Sequence, residues 1–439
     1  MRSTLPLLVL LTVCALALAQ GQPTGVPSEG DSPASAPLEL GRVDGWPLWV
    51  ESGRAGTASV LLADGSLVWV ATEARAASHI ARGLAGEQLA ACGSAILVVD
   101  ERSALRRLPR APDLPVVSAT GPAVSRLHRP VCAADGTVFA LDPRGNVLRL
   151  SRELETLQSA RLAGLPDAEL VVVELGDTTA LAVLSEPTQR YRHGALGDEV
   201  EAGALTLLDA RDLSLLTTWR PSPPAVIEAR RPTFWSAQGE AGVYVTVSDD
   251  ESGARLVSLA WDGSDLVEVA RGEPLGESQR WLHLIGASDG RAYAVHEPRD
   301  EGPFVRYRKP LGTVGIAFDD GEPLHLPHSE VASGLVSHVD GERLLDRAAL
   351  LGPLPEGGEL LLVPKRGQRV LVWMRCDDRS CSSLGEVTLP APLATNLSLA
   401  KVDEEVVAVV LADRSGTVWW LPLPLDLADQ ATDGGAPGR

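Results

Sequence analysis

The feature that most constrains this chain is a set of short ribbons that are apolar on both sides. In "GTVFALD", Val138 and Ala140 share one face of an extended strand while Phe139 and Leu141 share the other. "SLVWVAT" repeats the arrangement, with Leu67 and Trp69 on one side and Val68 and Val70 on the other. A sheet wetted on one face shows strict polar alternation instead. Each of these ribbons therefore needs a packing neighbour on both faces.

The ribbons recur with tight turns between them. "VLLADGSLVWVAT" (60–72), "VCAADGTVFALD" (131–142), "GASDGRAYAVHE" (286–297) and "VLADRSGTVWWLP" (410–422) each read as a strand, a turn and a strand. Asp-Gly falls at Asp64, Asp135, Asp262, Asp289, Asp320 and Asp340, and is expected to close two-residue hairpins in which both residues accept positive φ. Antiparallel hairpins are thus the local unit. Radially stacked four-stranded blades cover both faces of such units, so the predicted fold is all-β: a β-propeller of four-stranded antiparallel blades. About 380 residues at roughly 40 to 60 per blade predicts seven blades, with six and eight also allowed. "GWPLWVES" (45–52) is expected to pair into the last blade beside "GTVWWLP", hiding its free edge.

The repeats also resemble known propellers. "LTLLDARDLSLLTTW" (205–219) looks like the repeat of bacterial YVTN and YncE-type propellers, and "VFALDPRGNVLRL" is similar to quinoprotein-like and NHL-type repeats. The resemblance implies an exported bacterial propeller. Trp261-Asp262 lacks the Gly-His partner of a WD40 blade, and "LADRSGTVWW" departs from the sialidase Asp-box in the spacing of Asp413 and Gly416.

The ends read differently from the body. "MRSTLPLLVLLTVCALALAQ" has an arginine, an apolar run and Ala17-Leu18-Ala19, the pattern of a secretory signal peptide spanning residues 1–19. Its apolar run is short for a membrane span, and Val13 before Cys14 departs from a lipoprotein signal. Residues 20–44 read as a disordered Pro/Gly/Ser-rich linker, 45–424 as the propeller, and 425–439 as a disordered tail. The expected location is periplasmic or extracellular, with no transmembrane segment in the mature chain. A formal net charge of -19 opposes attraction to nucleic acid.

Four cysteines remain after the signal, and an even count in an exported chain points to disulfides. Of three pairings, the expected one joins Cys92 to Cys132 and Cys376 to Cys381. Loop-closure entropy makes the longer bridge worth about 4 kcal/mol.

Motifs for nucleophilic, metallohydrolase, nucleotide or EF-hand chemistry are absent from the sequence. Candidate residues remain. His325, His328 and His338 offer nitrogen donors for a metal, although three-residue spacing on an extended segment turns His325 and His328 to opposite faces. Asp249 and Asp250 offer carboxylates for calcium without the alternating spacing of a calcium loop. His283 and His296, with Asp289 in the turn between them, are the candidates for catalysis on a channel-facing hairpin. Trp46, Trp49, Trp219, Trp235, Trp281 and Trp420 read as blade packing, with aromatic platforms as the rival. The functional expectation is an exported non-catalytic binding or scaffold protein holding a protein, peptide or glycan, with no cofactor. The alternative is a propeller enzyme of lactonase, glycosidase or lyase type.

Overall fold

In the computed structural model the described residues run from 36 to 424, with breaks of which 299–311 and 326–348 are the longest. Among the described residues there is no helix, and the strands form a β-propeller. Seven four-stranded antiparallel sheets are present, as predicted, and one five-stranded sheet stands among them. With that sheet counted, eight sheets of four or five strands follow one another among the described residues.

The first sheet comprises Pro47–Ser52, Thr57–Leu62, Leu67–Ala71 and Ser78–Ala81. The second comprises Ala90–Cys92, Ala95–Val99, Ala104–Pro109 and Ala119–Ala123, and the third Val131–Cys132, Val138–Leu141, Asn146–Leu150 and Thr156–Arg161. The fourth comprises Ala168–Leu175, Thr178–Ser185, Ala204–Asp209 and Leu215–Trp219, with a two-stranded ribbon, Thr188–Arg192 and Ala195–Glu201, inserted between its second and third strands. In the fifth, Val226–Ile227 and Thr233–Ala237 both pair with Glu240–Asp249, which leads to Gly253–Trp261 and Leu266–Arg271. The sixth comprises Gln279–Ser288, Arg291–Pro298, Gly312–Asp319 and Glu322–His325, and the seventh Ala349–Pro353, Glu359–Pro364, Val370–Cys376 and Cys381–Thr388. The eighth joins Ser398–Val402, Glu405–Ala412 and Thr417–Pro422 to a strand from the other end of the chain, Leu38–Arg42.

The second strands whose side chains are described show why the ribbons are apolar on both sides. Ile96 and Val98 pack toward the first sheet, with Trp49, Leu61 and Leu67. Leu97 and Val99, the alternate residues, pack toward the third, with Val138 and Ala140. Phe139 and Leu141 then face the fourth sheet, with Leu181 and Val183. Ala182 and Leu184 face the fifth, with Val243 and Val245. Val409 and Leu411 meet Leu362 and Trp373 of the seventh sheet, while Val410 and Ala412 meet Val50 and Val60 of the first. The last pair closes the ring. Each fully buried leucine or valine removed from water in these seams contributes about 1.5 to 3 kcal/mol.

Two sequence expectations are corrected. The closing strand is Leu38–Arg42, paired with Thr417–Pro422 through Leu38 with Trp420 and Arg42 with Thr417. The sequence places those residues in the linker, whereas in the structure they form this strand and "GWPLWVES" supplies the inner strand of the first sheet. The reason is amphipathy: Pro47–Ser52 is buried along nearly its whole length, while Leu38–Arg42 buries only Leu40 and suits an outer edge.

The Asp-Gly hairpins divide: Ser288 pairs with Arg291 and Asp319 with Glu322, leaving two residues between them as expected, whereas the hairpins of Asp64 and Asp135 have longer turns. In Leu62–Ser66 and Ala133–Thr137 the first residue's N–H donates to the carbonyl four residues on, and Gly65 or Gly136 donates back to the first carbonyl. Three residues therefore connect the strands, a type I turn closed by a left-handed residue. Asp100–Ala104, Asp142–Asn146, Ser151–Glu155 and Asp413–Thr417 have the same bonds. Only the fourth residue takes positive φ, 76° at Gly65 and 81° at Gly416, with Ser103 and Leu154 in that role elsewhere. The aspartate contributes a hydrogen bond instead. Asp64 Oδ1 accepts the Ser66 N–H at 2.9 Å and Asp135 Oδ1 accepts the Thr137 N–H at 2.8 Å.

Cys92 and Cys132 form a disulfide that staples the inner strands of the second and third sheets, as expected. Cys376 is disulfide-bonded, and the backbone register sets Cys381 opposite it. The side chain of Cys381 lies outside the described residues.

Candidate functional site

The first strands of successive sheets lie beside one another and form the inner rim of the ring. Where the first sheet meets the eighth, this rim is held by side chains. The Val50 N–H donates to Asn396 Oδ1 at 2.9 Å, and Asn396 Nδ2 donates to the Val50 carbonyl at 3.0 Å. A side-chain amide thus presents the donor and acceptor that a strand residue would present, which satisfies backbone groups with no strand partner. The Ser52 N–H donates to Ser398 Oγ at 2.8 Å, and Ser52 Oγ donates to the Leu399 carbonyl at 2.7 Å.

Glu51, only 7% exposed, is the charged centre of the rim. Its Oε1 accepts from Trp49 Nε1 at 3.1 Å and from Arg129 Nη2 at 3.0 Å, and Ser398 Oγ lies 3.4 Å from Oε2. The Arg129 guanidinium also stands 5.3 Å from the centroid of the Trp49 ring. Arg129 belongs to the connection entering the third sheet, so this cluster joins the first, third and eighth sheets. Arg110 lies within the field of the same carboxylate. Burial lowers its pKa, and the Glu51 charge opposes that shift. The carboxylate oxygens are occupied by indole, guanidinium and hydroxyl donors, an arrangement that fixes the rim.

A second arrangement lies at the end of the ring carrying the hairpins between second and third strands. The chain passing from one sheet to the next docks on these hairpins through their left-handed residue. Leu84 N–H donates to the Gly65 carbonyl at 3.0 Å, Val124 N–H to Ser103 at 2.8 Å, and Val43 N–H to Gly416 at 2.9 Å. Trp46 lies on one such connection, its carbonyl accepting the Ala63 N–H at 2.9 Å, yet its side chain is 51% exposed. The Arg414 guanidinium stacks 5.7 Å from the Trp46 centroid.

Asp413, the residue before Arg414, is fully buried. Its Oδ1 accepts the Ser415 N–H at 2.8 Å and hydroxyl at 2.6 Å, and its Oδ2 accepts Trp419 Nε1 at 2.9 Å. The hairpin that carries Arg414 is therefore anchored, and the Trp46–Arg414 pair is presented on fixed backbone. A solvent-facing indole backed by a cation offers one aromatic face to an incoming ligand.

Most of the candidates drawn from sequence fall where side chains lie outside the described residues. His283 is on Gln279–Ser288, the innermost strand of the sixth sheet, and His296 on Arg291–Pro298 beside it. His283 pairs with Val295 and His296 with Leu282, so the two histidines are one register position apart. Asp249 and His325 end their strands, and Asp250, Asp289, His328 and His338 lie outside the described residues altogether. Among the described residues no group of three or more His, Cys, Asp or Glu side chains is placed to hold a metal.

The tryptophans divide. Trp49 is 6% exposed and Trp219 and Trp420 are partly buried, while Trp46 alone among the described tryptophans is mostly exposed. Sequence reading missed Glu51, Arg129, Asn396 and Arg414. Each is a single polar residue in a strand or connection, and its partner comes from another sheet.

No family model matches the chain, and no curated protein matches it. Solved structures do. BamB from Moraxella catarrhalis is 11% identical, with a TM-score of 0.45 over 88% of this chain and 96% of that one. The computationally designed Ika8 protein is 10% identical, with a TM-score of 0.51 over 88% and 99%. BBS1N, in a complex with ARL6DN, is 10% identical, with a TM-score of 0.44 over 88% and 97%. At 10% identity the likeness to the Ika8 protein is one of fold alone.

Proposed function

We propose that this chain is an exported, non-catalytic binding or scaffold protein that holds a protein or peptide at the hairpin end of its ring. The observation that carries the reading is the Trp46–Arg414 pair. Tryptophan and arginine are the side chains most enriched at interface hot spots, because each brings a large area with a few directional donors at low entropic cost. Here both are presented on anchored backbone, so little order is lost on binding. The stacked guanidinium covers one face of the indole, which favours a polypeptide partner over a sugar seated flat on the ring. Export is supported by the N-terminal signal pattern and by the Cys92–Cys132 bridge, since disulfides persist in oxidising compartments.

The test is capture from a cell-envelope extract by the immobilised chain, with Trp46→Ala and Arg414→Ala as variants. Trp46 is largely exposed and Arg414 half-buried, neither belonging to a packing seam, so the fold is expected to survive. One partner should be enriched by the parent, and each substitution should weaken it by about thirtyfold, the scale of a hot-spot truncation. Equal retention by parent and both variants overturns the reading.

A further inference from the structure

From the seventh sheet through the eighth to the third, the hairpin end of the ring carries a charge opposite to that of the chain. The formal net charge is -19, yet the hairpins between second and third strands, and the connections docked on them, present arginines. Arg102 and Arg144 are exposed at the tips of the second and third sheets, and Arg414 stands half-buried at the tip of the eighth. Arg369, also exposed, precedes the third strand of the seventh sheet, where its carbonyl accepts the Leu389 N–H at 2.6 Å, the joint that Gly65 and Gly416 make elsewhere. Arg82 and Arg126 are exposed on the connections entering the second and third sheets. The packing seams set these sheets side by side, so the arginines follow one continuous arc.

Turn chemistry explains the excess. Asp100 Oδ1 accepts the N–H groups of Arg102 and Ala104 at 2.9 and 3.0 Å, and Asp142 Oδ1 accepts those of Arg144 and Asn146, both at 2.8 Å. Each carboxylate is drawn into its turn, and the arginine two residues on is left in solvent. Arg126 is fixed in place, with Nε donating to Ser103 Oγ at 2.9 Å and Nη2 to the Glu101 carbonyl. Among the described residues of the arc, the exposed carboxylates are those of Asp44, Asp64 and Glu101. The opposite end of the same sheets has the reverse balance, exposing Asp135, Glu153, Glu155 and Glu405 against Arg152 and Lys401.

We infer that the arc receives an acidic polypeptide, its arginines pairing with carboxylates while Trp46, among them, supplies the apolar contact. The inference rests on the binding role proposed above and names the chemistry of the partner. A guanidinium presents a planar fork of donors that matches a carboxylate, and positive charges gathered on one face steer an acidic partner before contact. A long polyanion would run past the arc onto the acidic remainder of the chain, whereas a short acidic segment stays within it.

The experiment follows the fluorescence anisotropy of a labelled octaglutamate peptide titrated with the full chain, beside a labelled octathymidylate. The peptide should bind saturably and lose at least fivefold in affinity between about 20 and 150 mM salt. Arg102→Glu combined with Arg144→Glu should weaken it at least tenfold. Arg152→Glu combined with Lys401→Glu, at the other end, should change it less than twofold. Thermal midpoints check that each variant folds, and Arg82→Glu with Arg369→Glu replaces the first pair should that pair fail to fold. No saturable peptide binding at low salt, equal losses from the two ends, or tighter binding of the oligonucleotide overturns the inference. The two readings fail separately. An envelope partner released by Trp46→Ala but retained by the arginine reversals removes the acidic assignment and keeps the binding role. Arginine-dependent peptide binding with no captured partner does the reverse.

Discussion

Gly65 and Gly416 each serve a turn and a joint at once. Their φ of 76° and 81° closes the hairpin, and their carbonyls receive the chain on its way to the next sheet. A Cβ at Gly65 would stand 2.4 Å from the Leu84 carbonyl oxygen, and one at Gly416 would stand 2.5 Å from that of Val43. Gly65→Ala should therefore cost about 2 to 4 kcal/mol, combining a left-handed alanine with a displaced connection. Chemical denaturation of parent and variant measures it, and a loss under about 0.5 kcal/mol would contradict the double role. The glycines were legible as turn residues because their conformational freedom is local. Their second task was not, since Leu84 and Val43 are apolar residues with no mark of a partner.

At the level of the hairpin, the aspartates act through their carboxylates. Burial tends to raise the pKa of Asp142. The Asn146 side chain and backbone, the Arg144 N–H and the Arg144 charge outweigh it and hold the carboxyl below its ordinary value. With a lowered folded-state pKa the native hairpin binds fewer protons than the unfolded chain. Its contribution is then present above the unfolded pKa of about 3.9, and is lost as pH falls through the folded value. Urea unfolding across pH 7 to 2 should show stability falling below about pH 4. Asp142→Ala should cost about 1 kcal/mol at pH 7 and flatten part of that fall. An unchanged slope in the variant would remove Asp142 from the account. Strands were the most legible elements of all. The alternation of Val138 and Ala140 against Phe139 and Leu141 is read directly from sequence, and it recurs as two separate packing seams.

At the scale of the molecule, closure depends on one edge strand with a single buried side chain. Leu40 is 2% exposed among Val50, Val60 and Val410, and its strand covers the edge that carries Trp419 and Trp420. Removing residues 36–42 should destabilise the ring by about 3 kcal/mol or more, on the scale of deleting a buried leucine. It should also expose a paired-strand template and produce concentration-dependent oligomers. Calorimetry with light scattering reads both effects. An unchanged midpoint and a monomeric truncated chain would show that the ring closes without this strand.

Period and turn chemistry are properties of neighbouring residues, and from them the sequence alone determined an all-β propeller built of antiparallel hairpins. The even cysteine count pointed to disulfides, and the fold decided that Cys92 meets Cys132. The five-stranded sheet, the identity of the closing strand and the clusters at the rim were decided only by tertiary structure. Arg129 meets Glu51 across 78 residues, and Asn396 meets Val50 across 346. No local pattern marks such pairs, because their partners become neighbours only when the ring closes and each sheet's second face has found its neighbour.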